Sequence, residues 1–152
     1  MMAWVQVSHS PQETEALGAE LAGRLQAGQV VLVEGELGAG KTTFVRGACR
    51  ALGVRAQIRS PTFNIGHRYR GRIPVAHIDL YRIPDLRRED PDLLADYLQP
   101  DTIAFVEWPG SETELGVPGR LAARVSIEHR EGDERTIAID LAAGAAMSGG
   151  DG

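Results

Sequence analysis

Two apolar runs, Val30-Val31-Leu32-Val33 and Ile103-Ala104-Phe105-Val106, stand out along the chain because neither alternates with polar residues. Short unbroken runs rich in β-branched and aromatic residues read as strands buried on both faces of a sheet. Elsewhere the period is two. Phe63, Ile65, His67 and Tyr69 alternate with polar residues, Gly71-Arg72 reads as a turn, and Ile73 to Asp79 reads as the return strand, with Pro74 near its start. Leu121, Ala123, Val125 and Ile127 alternate, as do Ile137, Ile139 and Leu141 beyond a Gly132-Asp133 turn, which predicts a C-terminal hairpin. Trp4 to Val7 reads as a first short strand.

Helical spacing appears in three places. Ser10-Pro11-Gln12-Glu13 has the form of a capping box with proline at the first helical position. Leu17, Leu21 and Leu25 follow every four residues, and Gly28 is the expected stop. Phe44, Val45, Ala48, Cys49 and Leu52 form a second stripe, closed by Gly53. A third helix is expected over Leu86 to Leu98, with Pro91 clouding its start. The sum is a single α/β domain over residues 1–141, a mixed sheet flanked by a few helices and β-hairpins. Residues 142–152 contain only Ala, Gly, Ser, Met and Asp, and are expected to form a disordered tail.

Between the first buried run and the second helical stripe lies Gly35-Glu36-Leu37-Gly38-Ala39-Gly40-Lys41-Thr42. It fits G-x-x-x-x-G-K-[ST], the P-loop, whose lysine reaches the β- and γ-phosphates and whose hydroxyl binds Mg²⁺. Strand, glycine-rich loop and helix is the arrangement the chemistry requires. Backbone N–H groups from Leu37 and Gly38 through Ala39 and Gly40 to Thr43 would face the phosphates, backed by the helix N-terminus. Lys41 is also the only lysine; the other 15 basic residues are arginine. The fold class is therefore that of a P-loop NTPase.

A P-loop enzyme also needs a carboxylate at the end of an apolar strand to hold Mg²⁺. Glu107 follows Ile103 to Val106, and Asp79 follows Ile73 to Ile78. Glu107 has the cleaner buried strand and is the first choice for the metal. Asp79 is a candidate to share the metal or position the attacking water. A strand-end surface acid is the plain alternative for each. Thr62, in Ser60-Pro61-Thr62-Phe63, lies on a loop where a hydroxyl can sense a γ-phosphate. Trp108 adjoins Glu107, either against the nucleotide or as packing. His77 reads as a core histidine first and a ligand second.

Composition narrows the class. Hydrophobic content of 43% and charged content of 24% are ordinary for a soluble globular chain. No apolar run approaches a membrane span, and the N-terminus lacks a basic region followed by a long apolar stretch, so a cytoplasmic location is expected. One cysteine, Cys49, reads as core, and four scattered histidines suggest no metal cluster. The net charge of −5 conceals a segregation. From Leu37 to Arg72 there are eight positive charges and no acid: Lys41, Arg46, Arg50, Arg55, Arg59, Arg68, Arg70 and Arg72. From Asp85 to Asp101 the balance reverses. The basic stretch is either a solvated face or a surface that meets RNA or an acidic partner.

Taken together and in order, the P-loop with Thr43, Ser60-Pro61-Thr62-Phe63, His77-Ile78-Asp79-Leu80-Tyr81-Arg82 and Val106-Glu107-Trp108 resemble the TsaE family, formerly YjeE. The P-loop alone is unspecific; the co-occurrence of the four at these spacings is specific. The resemblance runs from the first helix to the C-terminal hairpin. It implies a small bacterial ATPase of the tRNA threonylcarbamoyladenosine pathway, using ATP and Mg²⁺. It also implies work with the TsaB–TsaD pair, which transfers threonylcarbamoyl to a tRNA adenosine, so that tRNA is met only through the complex. Carried over by motif, Lys41 holds phosphate, Thr42 and Glu107 serve Mg²⁺, and Asp79 is needed for hydrolysis. Thr62 then belongs to a switch-like loop, Trp108 lies near the nucleotide, and the segment near Ser10 lies by the adenine. The charged stretch from Pro84 to Tyr97 departs from the family pattern and puts a partner surface there in doubt. Two other classes stay open: a small-molecule kinase, with Arg68, Arg70 and Arg72 drafted for a lid, and a nucleotide-gated binding module that scarcely hydrolyses. A GTPase ranks below both, because Lys41 is the sole lysine and leaves none for an N-K-x-D guanine motif.

Overall fold

The unbroken apolar runs become the middle of a seven-stranded mixed sheet. In the computed structural model, which describes residues 2–36, 39–61, 65–80, 83, 92–107, 115 and 118–142, the strands are β1 (Met2–Ser8), β2 (Val30–Gly35), β3 (Gly66–Tyr69), β4 (Val75–Asp79), β5 (Ile103–Glu107), β6 (Leu121–His129) and β7 (Arg135–Leu141). Two helices accompany them, α1 (Pro11–Ala22) and α2 (Lys41–Ala51). The spatial order is β1-β7-β6-β2-β5-β4-β3. The phosphate-loop strand β2 sits at the centre, parallel to both β5 and β6. β4 joins β5 in parallel, while β1–β7, β6–β7 and β3–β4 are antiparallel.

Each central strand feeds two cores. One face of β2, β4 and β5 sends Val31, Val33, Val75, Ile103 and Phe105 under α1 and α2, where Leu17, Leu21, Phe44, Val45, Ala48 and Cys49 meet them. The other face sends Val30, Leu32, Ala76, Ile78, Ala104 and Val106 against Leu80, Ile83, Leu94 and Leu115. A strand covered on both faces has no position for a polar residue, which is why these runs do not alternate. Cys49 is fully buried, and burial pushes its thiol up to about 12, as an inert core residue requires.

The end of α1 differs from expectation. α1 ends at Ala22 with Gly23 as its cap, not at Gly28. Leu25 is buried from a turn whose N–H donates to Ala22. Gly28 has φ 89° and serves the entry to β2, where a Cβ would lie 2.7 Å from the Pro100 carbonyl oxygen. The capping box forms with a shifted partner: Ser10 Oγ accepts from the Glu13 N–H at 3.1 Å, and Glu13 Oε1 accepts from the His9 N–H at 3.0 Å.

The helix expected over Leu86 to Leu98 falls in part outside the described residues. Its described part is a run of turns, with Ala95 N–H on the Asp92 carbonyl and Tyr97 N–H on the Leu94 carbonyl. Pro91 and Pro100 leave too few residues between them to repay helix nucleation. Arg120 fastens this segment by donating to the carbonyls of Gly28, Leu98 and Gln99. In β6 the register shifts at the pairing of Val30 with Leu121 and Val31 with Ala123, a bulge at Ala122. Leu121 consequently packs with the second core, while Ala123, Val125 and Ile127 pack with the first. The tail beyond Ala142 lies outside the described residues.

Candidate nucleotide site

β2 ends at Gly35 and α2 starts at Lys41, so the loop between them turns at the C-terminal edge of the central strand. Gly35 is extended at φ 157°, and a Cβ there would lie 2.6 Å from the Ile127 carbonyl oxygen. Gly40 caps α2 with φ 105°, in the left-handed region that favours glycine, and contributes no side-chain oxygen. The first turn of α2 carries no acid. Its leading N–H groups have no intrahelical partners, so the helix presents unspent donors and a partial positive charge to an anion.

Lys41 is nearly buried at 7% exposure, and its ammonium donates to the Gly35 carbonyl at 2.7 Å. From β5, Glu107 reaches the helix: Thr42 Oγ1 donates to Glu107 Oε2 at 3.4 Å, across 65 residues of sequence. Glu107 is 2% exposed, which removes the reading of it as a surface acid. Asp79 is the register partner of Glu107 on β4, so the two acids stand level on neighbouring strands and on one face. That face is the one under α2, because Val75, a β4 residue of the same parity as Asp79, packs in the core that holds Phe44, Val45 and Ala48 of α2. Ser60 Oγ donates to Asp79 Oδ2 at 3.1 Å, which brings the Ser60-Pro61 loop to the acid.

The structure thus brings together Ala39, Gly40, Lys41, Thr42, Thr43, Asp79 and Glu107. Leu37, Gly38, Thr62 and Trp108, and the Tyr81-Arg82 end of the HxDLYR segment, lie outside the described residues. Two residues join the site that the sequence had not assigned to it. His77 is fully buried with Nε2 in contact with Glu107 Oε2. Arg135, the first residue of β7, donates through Nε to the Ala39 carbonyl at 2.8 Å, inside the phosphate loop. The register of β6 and β7 explains this reach, since their hairpin turns at the same edge of the sheet as the loop. Only the apolar setting of His77 was legible; nothing local marks Arg135.

The arginines considered for a kinase lid go elsewhere. Arg68 and Arg70 line a cavity of about 360 Å³ with Tyr69, Gly71, Pro74, Val75 and Thr102, at the start of β4 and β5. Asp79 and Glu107 are at the other end of those strands, roughly 13 Å away at 3.3 Å per residue. Arg72 donates to the Ala51 carbonyl, and Arg50 Nη1 donates to Val54 and Ala56 at 3.2 and 3.0 Å. These cations close the C-terminus of α2, where the helix dipole favours them. Part of the basic stretch is therefore a helix-end clamp. Among the described residues no group of three or more His, Cys, Asp and Glu is gathered for a metal, and no helix is long and apolar enough to cross a membrane.

Comparison with known proteins agrees with this geometry. The family model described as threonylcarbamoyl adenosine biosynthesis protein TsaE matches residues 8–137. A Bacillus subtilis tRNA threonylcarbamoyladenosine biosynthesis protein TsaE is 38% identical over 130 residues, covering 84% of this chain and 79% of the relative. The Streptomyces coelicolor protein of that name is 42% identical over 112 residues, covering 72% and 76%. The Synechocystis one is 41% identical over 105 residues, covering 68% of this chain but 60% of its own length. The crystal structure of Bacillus subtilis YdiB superimposes with a TM-score of 0.73 at 27% identity, over 97% of this chain and 91% of that one. With the family match running from the end of β1 into β7, the chain belongs to the TsaE family of threonylcarbamoyl adenosine biosynthesis proteins.

Proposed function

We propose that this chain is a cytoplasmic Mg²⁺-dependent ATPase that supports threonylcarbamoyl transfer to a tRNA adenosine by binding the TsaB–TsaD pair and hydrolysing ATP. The observation that carries the reading is the approach of Glu107 on β5 to the Thr42 hydroxyl on α2, next to a lysine at the mouth of a helix with no side-chain cap. Lys41 and the leading N–H groups of α2 bind the phosphates. Thr42 Oγ1 and the Glu107 carboxylate are hard oxygen donors from two elements, the set that Mg²⁺ takes alongside phosphate oxygens and water. Bound there, the ion supplies charge neutralisation for the transferred phosphoryl group. Asp79, level with Glu107 and held by Ser60, is the residue we assign to orienting the attacking water. ATP rather than another nucleotide, and the TsaB–TsaD partners, rest on family membership.

Phosphate release from ATP and Mg²⁺, measured with and without purified TsaB–TsaD, tests the proposal. Marked stimulation by the pair is expected. Lys41→Ala is expected to lose ATP binding, and Glu107→Ala to keep much of the binding while losing turnover. Phosphate appearing on a small acceptor would make the chain a kinase. Tight binding with no turnover in either setting would make it a nucleotide-gated binding module.

A further inference from the structure

His77 is fully buried in β4, between His67 on β3 and Phe105 on β5 in register. Its Nε2 meets Glu107 Oε2, the same oxygen that accepts from Thr42 Oγ1. Its other ring nitrogen, Nδ1, is buried and has no hydrogen-bond partner among the described residues. A carboxylate that is to hold a cation only accepts hydrogen bonds, so the ring nitrogen that meets it has to be the donor. The arrangement therefore selects the tautomer with the proton on Nε2, where it donates to Glu107.

We infer that His77 is a positioning residue: it pins Glu107 through Nε2–H and so sets the affinity of the Thr42–Glu107 pair for Mg²⁺. The inference rests on the ATPase reading given above for what the pair is used for. Carboxylates that hold a metal are themselves held by a partner, and loss of that partner commonly weakens metal binding about 10- to 100-fold. Two residues apart on one strand, His77 and Asp79 share the face that meets Glu107, which gives the HxD spacing a physical meaning.

Two measurements test it. The first uses the unaltered protein: the ¹⁵N shifts of the His77 ring should show the proton on Nε2, and a proton on Nδ1 with a bare Nε2 would overturn the inference. The second titrates Mg²⁺ at fixed concentration of a fluorescent ATP analogue. His77→Leu should raise the Mg²⁺ concentration for half-maximal binding by about tenfold or more, with binding of the analogue without Mg²⁺ little changed. His77→Gln, whose amide nitrogen can stand near the place of Nε2, should recover to within about threefold. A lowered melting temperature in His77→Leu with an unchanged Mg²⁺ midpoint would reduce His77 to packing and end the inference. If the wild type binds Mg²⁺ and nucleotide but never hydrolyses ATP, the ATPase reading fails while both measurements on His77 still stand or fall by themselves.

Discussion

Arg135 spends Nε on the Ala39 carbonyl and Nη1 on the carbonyls of Gly132 and Glu134, tying the C-terminal hairpin to the phosphate loop. A charged donor on a half-buried carbonyl contributes on the order of 1 kcal/mol after allowance for solvent. Arg135→Ala should lower the melting temperature by roughly 2–4 °C and weaken nucleotide binding, read by titration. A second residue-scale effect concerns His67. Burial holds its imidazole below the ordinary value of 6.5, and His77 and Arg59 add to that. The unfolded chain therefore takes the proton more readily, so the contribution is fully present above about pH 6.5 and is lost as pH falls below it. Melting temperatures at pH 7.5 and 5.5 should differ less in His67→Gln than in the wild type. Lys41, Thr42, Asp79 and Glu107 were legible because each follows a strand or a glycine loop that local pattern identifies. Arg135 and the bond from His77 to Glu107 were not, because each depends on which strands become neighbours.

The two helices cross at glycines. A Cβ on Gly18 would lie 2.1 Å from the Phe44 carbonyl oxygen, and one on Gly47 would lie 1.9 Å from that of Glu15. Gly→Ala inside a helix ordinarily gains about 1 kcal/mol. Here the overlap with rigid backbone forces the helices apart, at a cost of about 1–3 kcal/mol or more, so the clash wins. Gly47→Ala should lower the urea midpoint. Gly23→Ala, with φ −64° and its nearest approach at 3.5 Å, should not. α2 carries the N–H groups proposed to meet the phosphates, so the same substitution at Gly47 should also weaken nucleotide binding. At this scale the strands and helix stripes were readable from period alone. What failed were ends and interruptions: the stop of α1 at Gly23, the turns over Asp92–Leu98 and the bulge at Ala122. The stop of α1 and the turns were decided by local chain breaks, and the bulge by pairing with a distant strand, as Gly28 N–H on the Thr102 carbonyl also illustrates for the entry to β2.

For the whole molecule, the order of strands was the part hidden from the sequence. Periodicity marks a strand as buried on two faces, but not which segments lie beside it. The three-strand group β1-β7-β6 and the three-strand group β5-β4-β3 flank β2 on either side. Periodicity and the glycine-rich loop supplied the kind of fold, and the register then placed Asp79 and Glu107 at the same level.

The position of β2 has a consequence for how the protein is made. Its two neighbours are residues 103–107 and 121–129, and among the described residues β1 pairs with β7 alone, at 135–141. A nascent chain that has reached residue 100 therefore holds one of the sheet's six strand pairs, β3 with β4. The phosphate loop is synthesised early and shaped late, since the edges that hold β2 arrive after it. Such non-local pairing slows folding. A fragment of residues 1–100 should bind no ATP analogue and show little protease resistance, whereas residues 1–142 should do both. Competence to hold nucleotide thus reports that synthesis has passed β7, and until then the loop's glycines and lone lysine belong to an unfolded strand waiting for its neighbours.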